Sequence, residues 1–123
     1  MAMANNPGTV GKLAEDYVAQ QLAGQGFTIA ARNYHSRFGE IDLIAQGQGM
    51  LLFIEVKARK IGSMVSPMEA VTAAKQRKLL LTARQYLAEH PADGMQPRFD
   101  VAAVYMQAGG IVKIEYLENA FFA

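Results

Sequence analysis

Apolar residues recur at helical intervals near the start of the chain. From Thr9 to about Gln25, Val10, Leu13, Ala14, Tyr17, Val18 and Leu22 form one stripe. The stripe predicts a first helix with Thr9 as its N-cap and Gly26 as its stop. The period then shortens. Phe27–Tyr34, Phe38–Ala45 and Met50–Ala58 read as three strands, the last two joined through Gln46-Gly47-Gln48-Gly49 as a hairpin. Arg59 to Ser66 reads as a loop. A second helix runs from about Met68 to Glu89 behind Pro67, with Leu79, Leu80, Ala83, Tyr86 and Leu87 on its apolar side. His90 to Pro97 is a turn, and Arg98–Met106 and Ile111–Leu117 are two further strands around Gly109-Gly110. The order αβββαββ predicts an α/β fold with a mixed central sheet flanked by helices. At 123 residues the chain is expected to form one domain, residues 9–123, behind a loose tail of residues 1–8.

Charge interrupts this pattern in two strands. Gly39-Glu40-Ile41-Asp42-Leu43-Ile44 and Phe53-Ile54-Glu55-Val56-Lys57 place carboxylates and a lysine where strands normally exclude them. Burying such a group unpaired costs roughly several kcal/mol. Side chains alternate faces along a strand, so Glu40 and Asp42 share one face, as do Glu55 and Lys57. With the loop centred on Gly47 and Gln48, Asp42 faces Phe53 and Glu40 faces Glu55. All four charges then lie on one face, with Ile41, Leu43, Leu52, Ile54 and Val56 on the other. In this register Asp42 and Glu55 are diagonal neighbours, roughly 7–8 Å apart. Two carboxylates so placed can share a hard divalent cation such as magnesium. Lys57 can orient a water or stabilise developing negative charge, which phosphodiester hydrolysis requires. The competing reading is a solvated sheet face laced with ion pairs, each contributing about 0–1 kcal/mol.

Composition narrows the chemistry. There is no cysteine and there are only two histidines, so disulfides and thiolate metal sites are excluded and any metal would be held by oxygen. The net charge of +1 gives no general affinity for nucleic acid, so a DNA-binding role must come from local clusters. Arg59 and Lys60 directly follow the charged strand. Lys75, Gln76, Arg77, Lys78 and Arg84 lie on the second helix and suit phosphate contact, or simply form a solvated face. Tyr34, His35 and Arg37 make a polar loop, and Asp100 reads as a structural ion-pair partner. No apolar run approaches the roughly 20 residues that span a bilayer, and no basic segment precedes an apolar one at the N-terminus. The expectation is a cytoplasmic protein without a membrane partner.

The residues carry a resemblance. Asp42 followed after twelve residues by Glu55-Val56-Lys57 resembles the signature of the PD-(D/E)XK nuclease superfamily, with Ile41 in place of the leading proline. More closely, the chain resembles the bacterial YraN family, uncharacterised protein family 0102, which is similar to archaeal Holliday junction resolvases. The matching segments are Gly11 to Glu15 with Tyr17, Ala31-Arg32-Asn33, Gly39 to Ala45, Phe53 to Arg59, Pro67 to Val71, Lys75, and Arg98 to Val101. Two positions depart from the family pattern. Ala14 replaces the usual glycine before the helical glutamate, and Ser63-Met64-Val65 stands where an aromatic-glycine pair is common. The resemblance implies a restriction-endonuclease-like core with Asp42, Glu55 and Lys57 as catalytic residues. It implies Glu15 as a further metal ligand beside Asp42 and Glu55, with Mg2+ or Mn2+ as cofactor and DNA as the nucleic-acid partner. Arg59, Lys60, Lys75 and Lys78 would contact nucleic acid, with Glu40 and Gln76 in support, and a homodimer follows by analogy. The alternative is a catalytically silent nucleic-acid-binding or interaction module on the same fold.

Overall fold

The computed structural model describes residues 7–63, 71–108 and 110–121. Its elements follow the expected order. Helix α1 spans Pro7–Gly24, and strands β1, β2 and β3 span Thr28–His35, Glu40–Gly47 and Met50–Lys60. Helix α2 spans Ala73–Glu89, and β4 and β5 span Gln96–Gln107 and Gly110–Phe121. The five strands form one sheet in sequence order. β3 and β4 are parallel and every other pair is antiparallel. The parallel pair requires a crossover, which contains α2.

A helix covers each face of the sheet. On one face Ala14, Val18, Ala19 and Leu22 of α1 pack on Leu43, Ala45, Leu52, Ile54, Ala102 and Val104. On the other, Leu79, Ala83 and Tyr86 of α2 pack on Ile41, Ile44, Leu51, Phe53, Phe99, Val101 and Phe121. Leu51 to Ile54 is therefore buried on both sides, as the near-continuous apolar run of β3 suggests. This corrects the expected division into one apolar and one charged face. The α2 face is apolar along the first half of β3 and becomes charged only from Glu55 onward.

The β2–β3 register is also displaced from expectation. The turn is Gln48-Gly49, with Gly47 paired to Met50 and Ile44 to Phe53. Gln48 and Gly49 have φ of 54° and 76°, the two positive values that a two-residue type I′ turn needs. Gly47 serves packing instead. A Cβ there would meet Phe27 Cδ1 at 3.0 Å and the Gly26 carbonyl oxygen at 3.1 Å. The shift is two residues, so parity is kept but partners change. Continuing the register sets Asp42 opposite Glu55 rather than Phe53.

Three helix expectations also change. α1 begins at Pro7, so Thr9 lies inside the helix rather than capping it. Leu13 falls off the buried stripe and is 40% exposed, while Ala19 joins it. The α2 cap is Thr72, whose side chain accepts the Lys75 N–H at 3.2 Å. Pro67 and the expected helical start at Met68 lie outside the described residues.

Candidate active site

The regular β2–β3 ladder runs from Gly47↔Met50 to Leu43↔Ile54. Beyond that pair, Asp42 fills the gap with its side chain. Its Oδ2 accepts the Val56 N–H at 2.7 Å. β2 also changes phase here. Leu43 and Ala45 face α1, whereas Ile41 and Ile44 face α2, so Asp42 is the residue at which alternation breaks. Ile41 is thus on the opposite face from Leu43, contrary to the simple parity expectation.

β1 breaks at the same level. Arg32 pairs with Leu43 and Tyr34 with Ile41, so Asn33 stands across from Asp42 between those pairs. Asn33 has a left-handed φ of 50°. Its neighbours divide accordingly. Ala31 and Tyr34 pack on the α2 side, while Arg32 hydrogen-bonds Asp16 and Asn33 donates to Glu15, both on α1.

The expected trio Asp42, Glu55 and Lys57 is brought together. Glu55 is buried, with Oε1 3.4 Å from Lys57 Nζ and 3.3 Å from Lys75 Nζ. Burial, followed by the negative charge of Glu55, pushes the Asp42 carboxyl up to about 8. The Val56 N–H works against that shift, and the Glu15 charge adds slightly to it. Burial works to lower Lys57, but the adjacent Lys75 amine and the Glu55 and Asp42 carboxylates outweigh it and raise its affinity for the proton. Burial and the neighbouring Lys57 hold Lys75 below the usual lysine range. Lys75, expected at phosphate and, by resemblance, at the pocket near the start of the second helix, does reach the site, where its partner is Glu55. Thr72 as N-cap fixes the first turn of α2 and so sets where Lys75 points.

The remaining candidates occupy varied positions. Glu15 accepts the Asn33 amide at 3.2 and 3.3 Å, and Glu40 accepts it at 2.9 Å. Glu40 thus pairs with Asn33 and His35 of β1. Gln76 turns its amide to the Val71 carbonyl at 3.1 Å and supports the start of α2 rather than the carboxylates. Lys78 is exposed, and its Cβ lies beside Gly39, so α2 carries its charge past the β1–β2 connection. Arg59 is half-buried with its guanidinium on the Ala58 carbonyl, and Lys60 is exposed at the end of β3. Tyr34 is a packing residue. Its ring meets Tyr86 edge-on at 5.2 Å and its hydroxyl donates to Glu89. Asp100 is structural, as expected. It accepts both Arg98 Nε and Nη2 at 2.9 Å, the Tyr116 hydroxyl, and the Asn119 N–H at 2.9 Å.

Among the described residues no three acidic or imidazole groups form a complete cation cage. The available donors are the two carboxylates of Asp42 and Glu55 and the backbone between Glu55 and Lys57. That set suits magnesium, which commonly uses one or two carboxylates and retains several waters. A cavity of about 320 Å³ lies elsewhere, at the opposite end of β3, among Leu22, Phe27, Gln48, Met50, Arg98 and Tyr116. It is separate from the carboxylates. No described helix is long and apolar enough to cross a membrane.

A sequence model of the uncharacterised protein family UPF0102 matches residues 14–104. A UPF0102 protein of Desulforapulum autotrophicum is 45% identical over 119 residues, covering 97% of this chain and 98% of that protein. One from Syntrophotalea carbinolica is 44% identical over 113 residues, covering 92% and 91%. A solved structure of Pyrococcus furiosus SfsA in complex with Ca2+ is 14% identical, with a TM-score of 0.30, over 89% of this chain and 61% of that one. The chain belongs to family UPF0102.

Proposed function

We propose that this UPF0102 protein is a metal-dependent nuclease that hydrolyses phosphodiester bonds in DNA, with branched DNA as the substrate class its sequence resemblance suggests. The observation that carries the reading is the meeting of Asp42, Glu55 and Lys57 where β2 and β3 part, with Asp42 driven to about 8 by burial beside Glu55. Asp42 stands against a second carboxylate, and a bound divalent cation would take the place of the proton that burial and the Glu55 charge hold on Asp42.

Asp42 and Glu55 would hold Mg2+ or Mn2+, and the family resemblance adds Glu15 of α1 as a further ligand. When bound, the ion supplies charge stabilisation at the phosphoryl oxygens and acidifies a water. Lys57, kept protonated, places a positive charge beside the same point and stabilises negative charge on the phosphate. Lys78, Arg59 and Lys60 extend a positive rim that would hold the backbone without reading bases.

One observation favours the second reading, a catalytically silent binding module. Lys57 and Lys75 both pair with the Glu55 carboxylate, so its charge is matched by the protein's own ammonium groups. The two are separated by assaying branched, flapped and single-stranded DNA with Mg2+ or Mn2+. Cleavage by the wild type that vanishes in Asp42→Ala and Lys57→Ala supports the enzyme. DNA binding without cleavage, insensitive to metal and to both substitutions, supports the module.

A further inference from the structure

The connection between β1 and β2, residues 36–39, is a turn seated on α2. The Ser36 N–H donates to the Gly39 carbonyl at 2.8 Å, and the Phe38 N–H donates to the Ser36 hydroxyl at 3.0 Å. The Ser36 hydroxyl also lies 2.8 Å from that of Thr82, which is fully buried on α2 and donates to the Lys78 carbonyl at 2.8 Å. The two middle residues of the turn, Arg37 and Phe38, are thereby held in a fixed place.

Packing does not account for those two residues. Among the described residues Phe38 belongs to neither core cluster. Its ring is half-buried, and the exposed Arg37 guanidinium stands over it, 4.9 Å from the centroid. Position gives the pair its meaning. Gly39 lies against the Lys78 Cβ, and Lys75, three residues earlier on the same side of α2, reaches Glu55. Along the chain, Asp42 follows Phe38 by four residues, an extended span of at most about 14 Å. That is about four base steps of one DNA strand at roughly 3.4 Å each. Arg37, Lys75 and Lys78 supply positive charge along this edge, while Glu40, which follows the turn, is engaged by Asn33 and His35 of β1. A polyanion fits that balance. An aromatic ring in the same place adds a surface on which a base stacks, with the guanidinium left for a phosphate. Inside a duplex each base face is already covered by its neighbours, so the ring can take only a base that is out of the stack.

We propose that the Arg37–Phe38 turn docks an unpaired DNA base beside the candidate active site, with Phe38 stacking on the base and Arg37 taking an adjacent phosphate. The inference rests on the nuclease reading for its place beside the bond to be cut. It adds the substrate feature selected there, a single-stranded segment such as a flap or the arm of a branch.

The test is fluorescence anisotropy of the full chain with labelled oligothymidine and with a long, fully paired duplex, without metal and again with Ca2+. Phe38→Ala is expected to weaken oligothymidine binding at least about fivefold, the loss of one stacked base, and to leave duplex affinity unchanged. Phe38→Leu keeps apolar bulk without a π face and should show the same loss, which covers the case in which the alanine variant fails to fold. Phe38→Trp should bind as the wild type does. Arg37→Gln should lower the salt slope on the single strand by about 0.7, whereas Phe38→Leu should not move it. Oligothymidine affinity unchanged in Phe38→Leu, an equal loss on the duplex, or a wild type that binds no single strand each overturn the docking role. Cleavage with Mn2+ judges the nuclease reading separately. A selective loss in Phe38→Leu from a wild type that cuts no DNA supports the docking point and overturns the nuclease reading alone.

Discussion

Lys75 Nζ lies 3.3 Å from Glu55 Oε1, the same oxygen that Lys57 approaches at 3.4 Å. Two ammonium groups from different elements thus converge on one buried carboxylate. Lys75→Met removes one of them from a group that cannot turn to solvent. It is expected to destabilise the metal-free protein by about 1–3 kcal/mol, the usual cost of losing a charged hydrogen-bond partner at a buried site. Mn2+ should bind more tightly to the same variant, because one competing cation is gone. Urea denaturation and calorimetry read the two effects separately. A variant both as stable as the wild type and unchanged in Mn2+ affinity contradicts the assignment.

The Asp42 carboxyl gives a pH signature. Its affinity for the proton is raised to about 8, against an unfolded value near 3.9. Between those limits the folded protein holds a proton that the unfolded chain has lost. Metal-free stability should therefore fall as pH rises from about 4 to about 8, by up to about 1.4 kcal/mol per pH unit, and level off above. Asp42→Asn keeps an oxygen to accept the Val56 N–H and has nothing to ionise. It should flatten this contribution and be the more stable protein at pH 8. Urea unfolding at several pH values measures it, and an unchanged slope in Asp42→Asn would be inconsistent with the account.

Asp100 serves stability alone. Its carboxylate is fully buried and receives Arg98, Tyr116 and the Asn119 backbone, fastening β5 to β4. Asp100→Ala leaves Arg98 without its buried partner and is expected to cost about 3–5 kcal/mol. At temperatures where the variant remains folded, its Mn2+ affinity should equal that of the wild type. Chemical denaturation and calorimetry check the two halves.

Gly47→Ala tests the displaced register. The new methyl would press on Phe27 Cδ1 and the Gly26 carbonyl oxygen, and the backbone contact cannot move cheaply. A loss of about 1–3 kcal/mol is expected, as for other overpacked sites. A neutral result would mean that Gly47 is not a close-approach position.

The element order and the meeting of Asp42, Glu55 and Lys57 were legible because both rest on periodicity. Parity survives a two-residue error in the turn, so the same side chains share a face in either register although their cross-strand partners change. The turn itself was misplaced because two glycines compete for it, and only Phe27 packed on Gly47 reveals which one turns. The division of faces was misread because β2 and β1 break alternation at Asp42 and Asn33. A left-handed asparagine inside a strand leaves little trace in hydrophobic pattern. Lys75 was seen as a basic residue on α2, but its reach to Glu55 depends on how the crossover seats that helix on the sheet.

The most direct test of the central claim is calorimetric titration of the wild type with Mn2+ at pH 7, repeated in buffers of different ionisation enthalpy. A cation bound between Asp42 and Glu55 must displace the proton that burial and the Glu55 charge retain on Asp42. The account predicts saturable binding with release of about one proton, abolished in Asp42→Asn. No Mn2+ uptake, or uptake without proton release that persists in Asp42→Asn, would contradict it.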